Sequence, residues 1–270
     1  MYELFNIQGK VIVVTGGTGV LGASMVEYLA LHGAKVAVLA RNKEKGDEQI
    51  EHVRSKGGDA LFLQTDVTDE AVLRQNAEAI IARYGKIDAL INGAGGNMPG
   101  VTIGPKNTIF DLKMDDFRKV VDLNLMGTVV PTVIFAEYMV KEKKGNIINI
   151  SSASALRPLS RVAGYGAAKA AVTNFTKYMA GELAIKFGED FRVNALCPGF
   201  FITEQNRNLL TNPDGTYSDR GNTIIAHTPF RRFGNPADLL GTLHYLVSDA
   251  SRFVTGTVAI VDGGFDAFSI

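Results

Sequence analysis

The feature that most constrains this chain is a regular alternation of short apolar segments with longer segments of helical periodicity. Residues 10–15 are apolar and mostly β-branched, and after a glycine-rich turn residues 21–32 carry apolar side chains at helical spacing. A strand buried on both faces reads as a continuous apolar run, and its alternation with helices implies parallel pairing through right-handed crossovers. The start of the chain therefore predicts a βαβ unit.

The alternation continues along the whole chain. Further strands are predicted at 35–40, 60–64, 89–92, 146–150, 192–196 and 257–261, and further helices at 43–55, 70–84, 114–141, 164–187 and 236–247. No repeat or linker divides this pattern. We therefore predict an α/β fold in which residues 1–270 form a single Rossmann-type doubly wound domain, with a parallel sheet of about seven strands and helices on both faces.

The charge and the cysteine content restrict the partners of the chain. Its 28 basic and 28 acidic side chains cancel, so no net field attracts nucleic acid or anionic lipid. Cys197 is the only cysteine, which excludes an intrachain disulfide and a multi-cysteine zinc site. Residues 1–10 lack the pattern of a signal peptide, and no apolar run approaches the ~20 residues that span a bilayer. We expect a cytoplasmic protein that binds a small molecule, without a metal and without nucleic-acid or membrane contacts.

The turn between the first strand and the first helix is rich in glycine. Gly17, Gly19 and Gly22 satisfy the pattern G-x-G-x-x-G between a predicted strand and a predicted helix. Such glycines let the backbone approach a pyrophosphate, whose charge the N-terminus of the helix stabilises. A simple tight turn would also use glycines, but this position in the first βα unit favours dinucleotide binding.

A tyrosine and a lysine lie four residues apart near the start of the predicted helix 164–187. At this spacing Tyr165 and Lys169 share one face of the helix. A free tyrosine has a pKa of about 10, and a nearby ammonium that stabilises the phenolate makes it a better acid or base near neutral pH. The spacing alone is also that of an ordinary amphipathic pair, so the surrounding residues must decide between the two.

Several motifs occur in order along the whole chain and at familiar separations. They are the glycine turn at 15–22, the Asn-Gly-Ala-Gly segment at 92–95, Asn124, Ser151 with Ser152, Tyr165 with Lys169, Pro198 with Gly199, and the Asp-Gly-Gly segment at 262–264. This set resembles the short-chain dehydrogenase/reductase family, including the interval from Ser152 to Tyr165. One position departs from the family pattern, because Val20 stands where a glycine is usual and Gly19 lies one place earlier.

The resemblance implies an oxidoreductase with four catalytic residues. Tyr165 would protonate the carbonyl oxygen in reduction or deprotonate the alcohol in oxidation, and Ser152 would hydrogen-bond the same oxygen. Lys169 would hold the nicotinamide ribose, and Asn124 would support a water that connects the lysine to solvent. The nicotinamide cofactor would carry the hydride. Taken alone, Ser152 could be a serine of a strand-end turn and Asn124 a polar residue at a helix kink.

The resemblance also implies a set of cofactor contacts. They are Gly16, Thr18, Gly19, Leu21, Arg41, Asp66, Val67, Asn92, Ala94, Tyr165, Lys169, Pro198, Gly199, Phe201 and Thr203. Asp66 and Val67 would meet the adenine, with an N-cap of the next helix as the alternative for Asp66. An acidic residue at the end of the second strand would select NAD, but Ala40 stands there and Arg41 follows. NADP is therefore favoured over NAD, with a solvated surface arginine as the alternative.

Substrate contacts are expected from the loops that follow the central strands. The candidates are Asn97, Arg157, Arg161, Gln205, Asn206 and Arg207, and the irregular segment 200–233 is predicted to be an insertion that covers the substrate. Guanidinium groups suit a carboxylate and amides suit sugar hydroxyls, so a sugar acid is expected, although any one arginine could be a plain surface residue.

The finer resemblance concerns a branch of the family. The segments 93–97, 155–161, 198–207 and 226–229, with the Val20 turn, are similar to the D-mannonate oxidoreductase (fructuronate reductase) branch. This implies interconversion of D-fructuronate and D-mannonate. A gluconate 5-dehydrogenase-like enzyme, or another polyol or keto-acid reductase, is the alternative within the family.

Two expectations concern the protein as a whole. A cofactor-binding regulatory protein that has lost turnover is an alternative of a different class, but such proteins typically lose the tyrosine or the lysine, and both are present. The helices that begin near 114 and 164 carry apolar residues beyond one core-facing stripe, which suggests subunit contacts. Because these helices usually build a tetramer in the family, the resemblance implies a homotetramer.

Overall fold

The computed structural model describes residues 2–204 and 206–267. Within these residues the strands form one fully parallel seven-stranded sheet in the order β3-β2-β1-β4-β5-β6-β7. The strands are β1 (Val11–Thr15), β2 (Lys35–Ala40), β3 (Asp59–Gln64), β4 (Ala89–Asn92), β5 (Gly145–Ile150), β6 (Phe191–Pro198) and β7 (Val258–Val261). The predicted doubly wound α/β fold is confirmed.

The helices connect these strands as the sequence pattern indicates. They are α1 (Val20–Leu31), α2 (Lys43–Ser55), α3 (Glu70–Tyr84), α4 (Met114–Val121), α5 (Gly127–Lys141), α6 (Ala153–Leu156), α7 (Ala163–Phe187), α8 (Arg207–Leu210), α9 (Asp219–His227) and α10 (Leu240–Val247). A π-helical turn, Asp122–Met126, joins α4 to α5 within the predicted helix 114–141. The helices α6, α8 and α9 were not predicted.

Both faces of the sheet are covered because neighbouring residues of a strand point to opposite sides. Ile12 and Val14 of β1 pack in a core with α1, α2 and α10. Val11 and Val13 pack in the other core, with α3, α5 and α7. All four side chains are fully buried, which explains why β1 reads as an uninterrupted apolar run.

The helical segment Met114–Lys141 carries a hydropathy signal that the sequence reading underestimated. Among the described residues it is the one helix long and apolar enough to cross a membrane by length and composition, with a mean hydropathy of 1.4 over its most apolar 18 residues. The expectation that no run is so long was therefore wrong. Half of this stretch is buried inside the protein, where Ile134, Phe135 and Met139 belong to the core beside the sheet.

Candidate active site

A cleft of about 1410 Å³ lies at the carboxyl ends of the strands. The chain runs outwards from β1 to β3 and then returns to β4 on the other side of β1, and ligands of such sheets bind where the strand order reverses. The residues just after six successive strands line this cleft, namely Gly16, Arg41, Thr65, Gly93, Ser151 and Gly199. The cleft therefore collects the loops that the sequence analysis singled out.

The glycine turn brings the backbone of two loops into close contact. Gly16 has a φ of +66°, and a Cβ at this position would lie 2.7 Å from the backbone nitrogen of Ala94. A Cβ at Gly22 would clash with the Gly16 carbonyl oxygen. Gly19 is the N-cap of α1, and no side chain caps it. The first N–H groups of α1 are therefore free of a capping side chain, and the positive end of the helix dipole can stabilise an anion.

Asp66 and two cations mark one end of the cleft. The Asp66 carboxylate accepts hydrogen bonds from the backbone N–H of Thr68 at 2.9 Å and from its hydroxyl at 2.7 Å. These bonds, with a smaller effect of Arg41, hold the pKa of Asp66 below its usual range. The N-cap of α3 is Asp69, so the alternative role of Asp66 as that N-cap is excluded. Arg41 and Lys45 line the same cleft.

Asn92, at the end of β4, was predicted to contact the cofactor, and the structure corrects this prediction. Its side chain is buried and does not line the cleft. The amide nitrogen donates to Thr132 Oγ1 and to Asn149 Oδ1, at 2.8 Å each. Asn92 therefore ties β4 to β5 and α5, and the next residues along the chain, including Ala94, reach the cleft.

Ser152, Tyr165 and Lys169 lie together on one wall of the cleft. Tyr165 and Lys169 belong to the first turns of α7, and Ser152 is the N-cap of α6. The Lys169 Nζ donates to the carbonyl oxygen of Ile150 at 2.8 Å and lies 5.8 Å from the centroid of the Tyr165 ring. The Ser152 hydroxyl oxygen accepts a hydrogen bond from the hydroxyl of Ser154 at 3.0 Å. Its own hydrogen remains available for the phenol oxygen of Tyr165.

The electrostatics of this wall differ from the sequence-based expectation. Burial raises the pKa of the Tyr165 phenol, and hydrogen bonding to Ser152 only opposes this effect. Burial also lowers the pKa of Lys169 to about 8. The expected lowering of the Tyr165 pKa by Lys169 does not contribute here, because the Lys169 amine donates to the Ile150 carbonyl oxygen instead. Within this structure Tyr165 is therefore a proton donor at neutral pH.

Asn124 lies in the π-helical turn between α4 and α5. Its amide nitrogen donates to the carbonyl oxygens of Gly96 at 2.6 Å and Val120 at 2.8 Å, and its oxygen accepts from the Gly96 N–H at 3.1 Å. Asn124 is fully buried and does not line the cleft. A Cβ on Gly95 would lie 2.7 Å from the Asn124 amide oxygen and 3.2 Å from Lys169 Nζ. Asn124 therefore holds the loop after β4 against Lys169.

Two of the predicted substrate residues line the cleft, Asn97 and Asn206. The Asn97 amide donates to Thr102 Oγ1 at 2.9 Å. The Asn206 amide donates to the Phe201 carbonyl oxygen, and its oxygen accepts from the Thr203 N–H, both at 2.8 Å. Asn206 therefore closes the loop that follows β6, so its amide groups are already engaged.

The arginines predicted as substrate contacts do not line the cleft, so the structure does not bring them to the candidate site. The Arg157 Nε pairs with the Asp266 carboxylate at 2.7 Å, and the same guanidinium donates to the Asp266 carbonyl oxygen. Arg161 and Arg207 are absent from the described lining of the cleft. Gln205 lies outside the described residues.

Two cations that line the cleft were missed by the sequence analysis, Lys45 and Arg220. Lys45 lies one helical turn beyond Arg41, in the first turn of α2, a spacing that could have drawn attention to it. Arg220 lies in α9, inside a segment read as irregular. The start of α9 carries a recognisable signal, because Ser218 accepts a hydrogen bond from the Gly221 N–H as an N-cap and Asp219 follows it.

Comparison with known proteins identifies the family. The family model for short chain dehydrogenases matches residues 10–214. An uncharacterized oxidoreductase, UxuB, of Bacillus subtilis (strain 168) is 43% identical, over 98% of this chain and 97% of its own. A candidate D-mannonate oxidoreductase from Haemophilus influenza, solved with bound NAD, is 38% identical with a TM-score of 0.91, over 98% of this chain and 97% of that chain. A gluconate 5-dehydrogenase from Burkholderia cenocepacia J2315, in complex with NADP and tartrate, is 30% identical with a TM-score of 0.88, over 99% of both chains.

The chain belongs to the short-chain dehydrogenase family and is an NAD(P)-dependent oxidoreductase. Its own geometry fits a nicotinamide dinucleotide, because the approach of Gly16 to Ala94 leaves no room for a side chain and α1 begins without a side-chain cap. Within residues 2–204 and 206–267 no group of three His, Cys, Asp or Glu is placed to hold a metal ion. The alternative of a cofactor-binding regulatory protein without turnover is not supported. The chain belongs to this enzyme family, and Ser152, Tyr165 and Lys169 are all present.

Proposed function

We propose that this enzyme interconverts a keto sugar acid and its hydroxy acid, with D-fructuronate and D-mannonate as the pair. The observation that carries the proposal is the convergence of Ser152, Tyr165 and Lys169 on one wall of a large cleft. The choice of pair is supported by the similarity of the whole chain to a candidate D-mannonate oxidoreductase. The similarity to a gluconate 5-dehydrogenase makes 5-keto-D-gluconate the second candidate substrate.

In the proposed reaction the side chains position the carbonyl and supply its proton. The nicotinamide ring, when bound, supplies the hydride. Tyr165 donates its phenolic proton to the carbonyl oxygen, and Ser152 donates a hydrogen bond to the same oxygen. The raised pKa of Tyr165 keeps the proton on the phenol at neutral pH. In the opposite direction the phenolate accepts the proton of the alcohol.

Lys169 and Asn124 support the same catalytic centre. We propose that Lys169, whose pKa is lowered to about 8 by burial, holds the nicotinamide ribose and passes protons to Tyr165. Asn124 positions the loop after β4 through its bonds to Gly96, and with it a water that connects the lysine to solvent.

The remaining predicted cofactor contacts line the cleft and are proposed to hold the dinucleotide. They are Gly16, Thr18, Gly19, Leu21, Arg41, Asp66, Val67, Ala94, Pro198, Gly199, Phe201 and Thr203. NADP is proposed as the preferred coenzyme, because Ala40 offers no carboxylate and Arg41 provides a cation at this end, beside Lys45, which pairs with Glu204 at 3.2 Å. The two solved relatives carry NAD in one case and NADP in the other, so this preference rests on the residues of this chain.

Three wider proposals concern the cover, the assembly and the location. Residues 1–270 act as one domain in which segment 200–233, with its own small core of Leu210, Ile224 and Phe233, covers the substrate.

A homotetramer is proposed because Val133 of α5 and Tyr178 of α7 are apolar and more than half exposed. The location is proposed to be cytoplasmic. Light scattering of the purified protein tests the assembly.

The proposed function is tested by initial rates of coenzyme oxidation with NADH and NADPH. The substrates are D-fructuronate, D-tagaturonate, 5-keto-D-gluconate and a simple ketone, and the Tyr165→Phe variant serves as the chemical control. We expect rapid reduction of D-fructuronate that the variant loses by a factor on the order of 10² or more. Exclusive turnover of another keto acid would replace the substrate, and turnover of simple ketones alone would reject a sugar acid. Arg41→Ala should raise the KM for NADPH about tenfold and spare NADH.

A further inference from the structure

Arg220 is a cation inside the cleft that no motif assigns. It is the second residue of α9, in segment 200–233, and its side chain lines the cleft. Its Nη1 donates to the Ser160 hydroxyl and its Nη2 to the Ser160 carbonyl oxygen, both at 3.0 Å. Because Ser160 lies between Leu159 and Val162, which line the same cleft as Tyr165, these bonds place the guanidinium beside the wall that carries the tyrosine.

The Arg220 guanidinium has a hydrogen-bond donor that no acceptor among the described residues satisfies. The Nε–H of Arg220 is buried and has no hydrogen-bond partner. Within the part of the chain that the structure describes, no Asp or Glu forms an ion pair with Arg220. A buried donor without an acceptor is destabilising, and natural proteins rarely retain one without a reason. An acceptor supplied by a ligand would satisfy it.

The surroundings of Arg220 repel a cation rather than attract one. Burial lowers the pKa of its guanidinium, and the nearby charge of Arg161 adds to the effect. Arg220 also lies in the first turn of α9, where the helix dipole disfavours positive charge. Neither local charge nor helix stability therefore explains an arginine here, whereas an anion in the cleft would offset both costs.

We infer that Arg220 binds the carboxylate of the substrate through its guanidinium, and so sets which end of a keto acid enters beside Tyr165. This inference rests on the proposed function and names the residue that recognises the acid. A guanidinium suits the task because its planar donors match the two oxygens of a carboxylate. The substrate class that follows is a keto acid, and an uncharged ketone of the same carbon skeleton should bind weakly.

The experiment compares D-fructuronate with its uncharged methyl ester on the wild-type enzyme and on Arg220→Gln. We expect the variant to raise the KM for the acid on the order of 10- to 100-fold, because it loses a charge-assisted contact, and to change the KM for the ester by less than about twofold. Arg220→Lys keeps the charge but lacks the planar guanidinium, so its KM for the acid should lie between those of the wild type and Arg220→Gln. Thermal melting of each variant shows whether it is folded.

Two control variants separate binding from a purely structural role. Ser160→Ala removes one bond that ties Arg220 to its loop but keeps the charge, so it should retain the preference for the acid. Arg231→Gln removes an exposed arginine of the same segment that does not line the cleft, and it should behave as wild type. An equal rise in the KM for acid and ester in Arg220→Gln would show that Arg220 has only a structural role, and a rise for the acid alone in Arg231→Gln would show that the effect is not specific to Arg220.

The same data distinguish the failure of this inference from the failure of the proposed function. If the wild-type enzyme reduces a different keto acid, that acid and its ester replace the pair above. If the wild type reduces the acid and Arg220→Gln shows no selective loss, only the role of Arg220 is rejected. If the wild type reduces no keto acid, both are rejected.

Discussion

Replacing Lys169 by methionine should change how the stability of the protein depends on pH. Lys169 is 3% exposed, and burial lowers its pKa from 10.5 to about 8. Each unit of pKa corresponds to about 1.4 kcal/mol, so keeping the protonated amine in the folded protein costs about 3 kcal/mol near neutral pH. The methionine has a similar length and carries no charge, so the variant is free of this cost at every pH.

The direction in which stability changes with pH follows from the number of protons bound by the folded and the unfolded protein. Because the folded-state pKa of Lys169 lies below the unfolded value, the folded protein binds fewer protons than the unfolded chain between pH 8 and 10.5. The contribution of Lys169 to the free energy of unfolding therefore rises with pH across this window, and the variant lacks this contribution. The wild type should gain about 2.5 kcal/mol relative to Lys169→Met between about pH 7 and about pH 10.

Denaturant unfolding of both proteins over this pH range measures the difference in the free energy of unfolding between wild type and Lys169→Met. The change of this difference with pH is more informative than its value at one pH. The variant also leaves the Ile150 carbonyl oxygen without its donor, which costs about 1–3 kcal/mol independently of pH. Burial raises the pKa of Cys197 to about 12 in the folded state, and because both proteins contain Cys197, its titration in the unfolded chain cancels from the difference. Lys177→Met, on the exposed side of the same helix, controls for the loss of a lysine. A difference constant to within about 0.5 kcal/mol would refute a depressed pKa of Lys169.

Two further predictions follow from the same geometry. Gly16→Ala should destabilise the protein by more than about 2 kcal/mol and weaken coenzyme binding, because Gly16 has a positive φ and a Cβ there would contact Ala94. The control Gly57→Ala, at a φ of +87° but with open space around the Cβ, should cost only about 1 kcal/mol. Equal losses of unfolding free energy in the two variants, measured by denaturant unfolding, would contradict the close approach of Gly16 to Ala94. The kcat/KM for reduction should be level up to about pH 7 and fall above about pH 8, as Lys169 loses its proton while Tyr165 retains its own; a profile level to about pH 10 would contradict this.

The sheet could be predicted closely because its strands are buried on both faces. Burial on both sides requires continuous apolar runs, and β2 and β4 begin and end where such runs do. The helix at 114–141 was predicted as continuous, but the structure contains a π-helical turn at Asp122–Met126. This turn includes Asn124, whose partner Gly96 is distant in sequence, and apolar periodicity carries no record of such a contact.

The cleft residues were predictable where a backbone position decides the contact. Gly16 and Gly199 line the cleft because they directly follow strands whose ends meet at one edge of the sheet. Asn92 also ends a strand, but its side chain points into the protein, toward Thr132 and Asn149. A prediction that assigns whole loops to a site cannot separate these two directions, because successive residues of a strand alternate between faces.

The substrate arginines could not be predicted because charge compensation acts between residues that are distant in sequence. The chain is neutral as a whole, yet Arg157 is compensated by Asp266 and Arg220 has no acidic partner among the described residues. Both have the same side chain, and both lie near the predicted site, Arg157 at the end of α6 and Arg220 in the first turn of α9. Arg220 keeps an uncompensated charge in the cleft, so it has free energy to gain from an anionic ligand, whereas Arg157 does not. The distinction that matters for recognition is therefore which cations the fold leaves uncompensated inside the cleft, and a count of basic residues in the surrounding loops does not contain it.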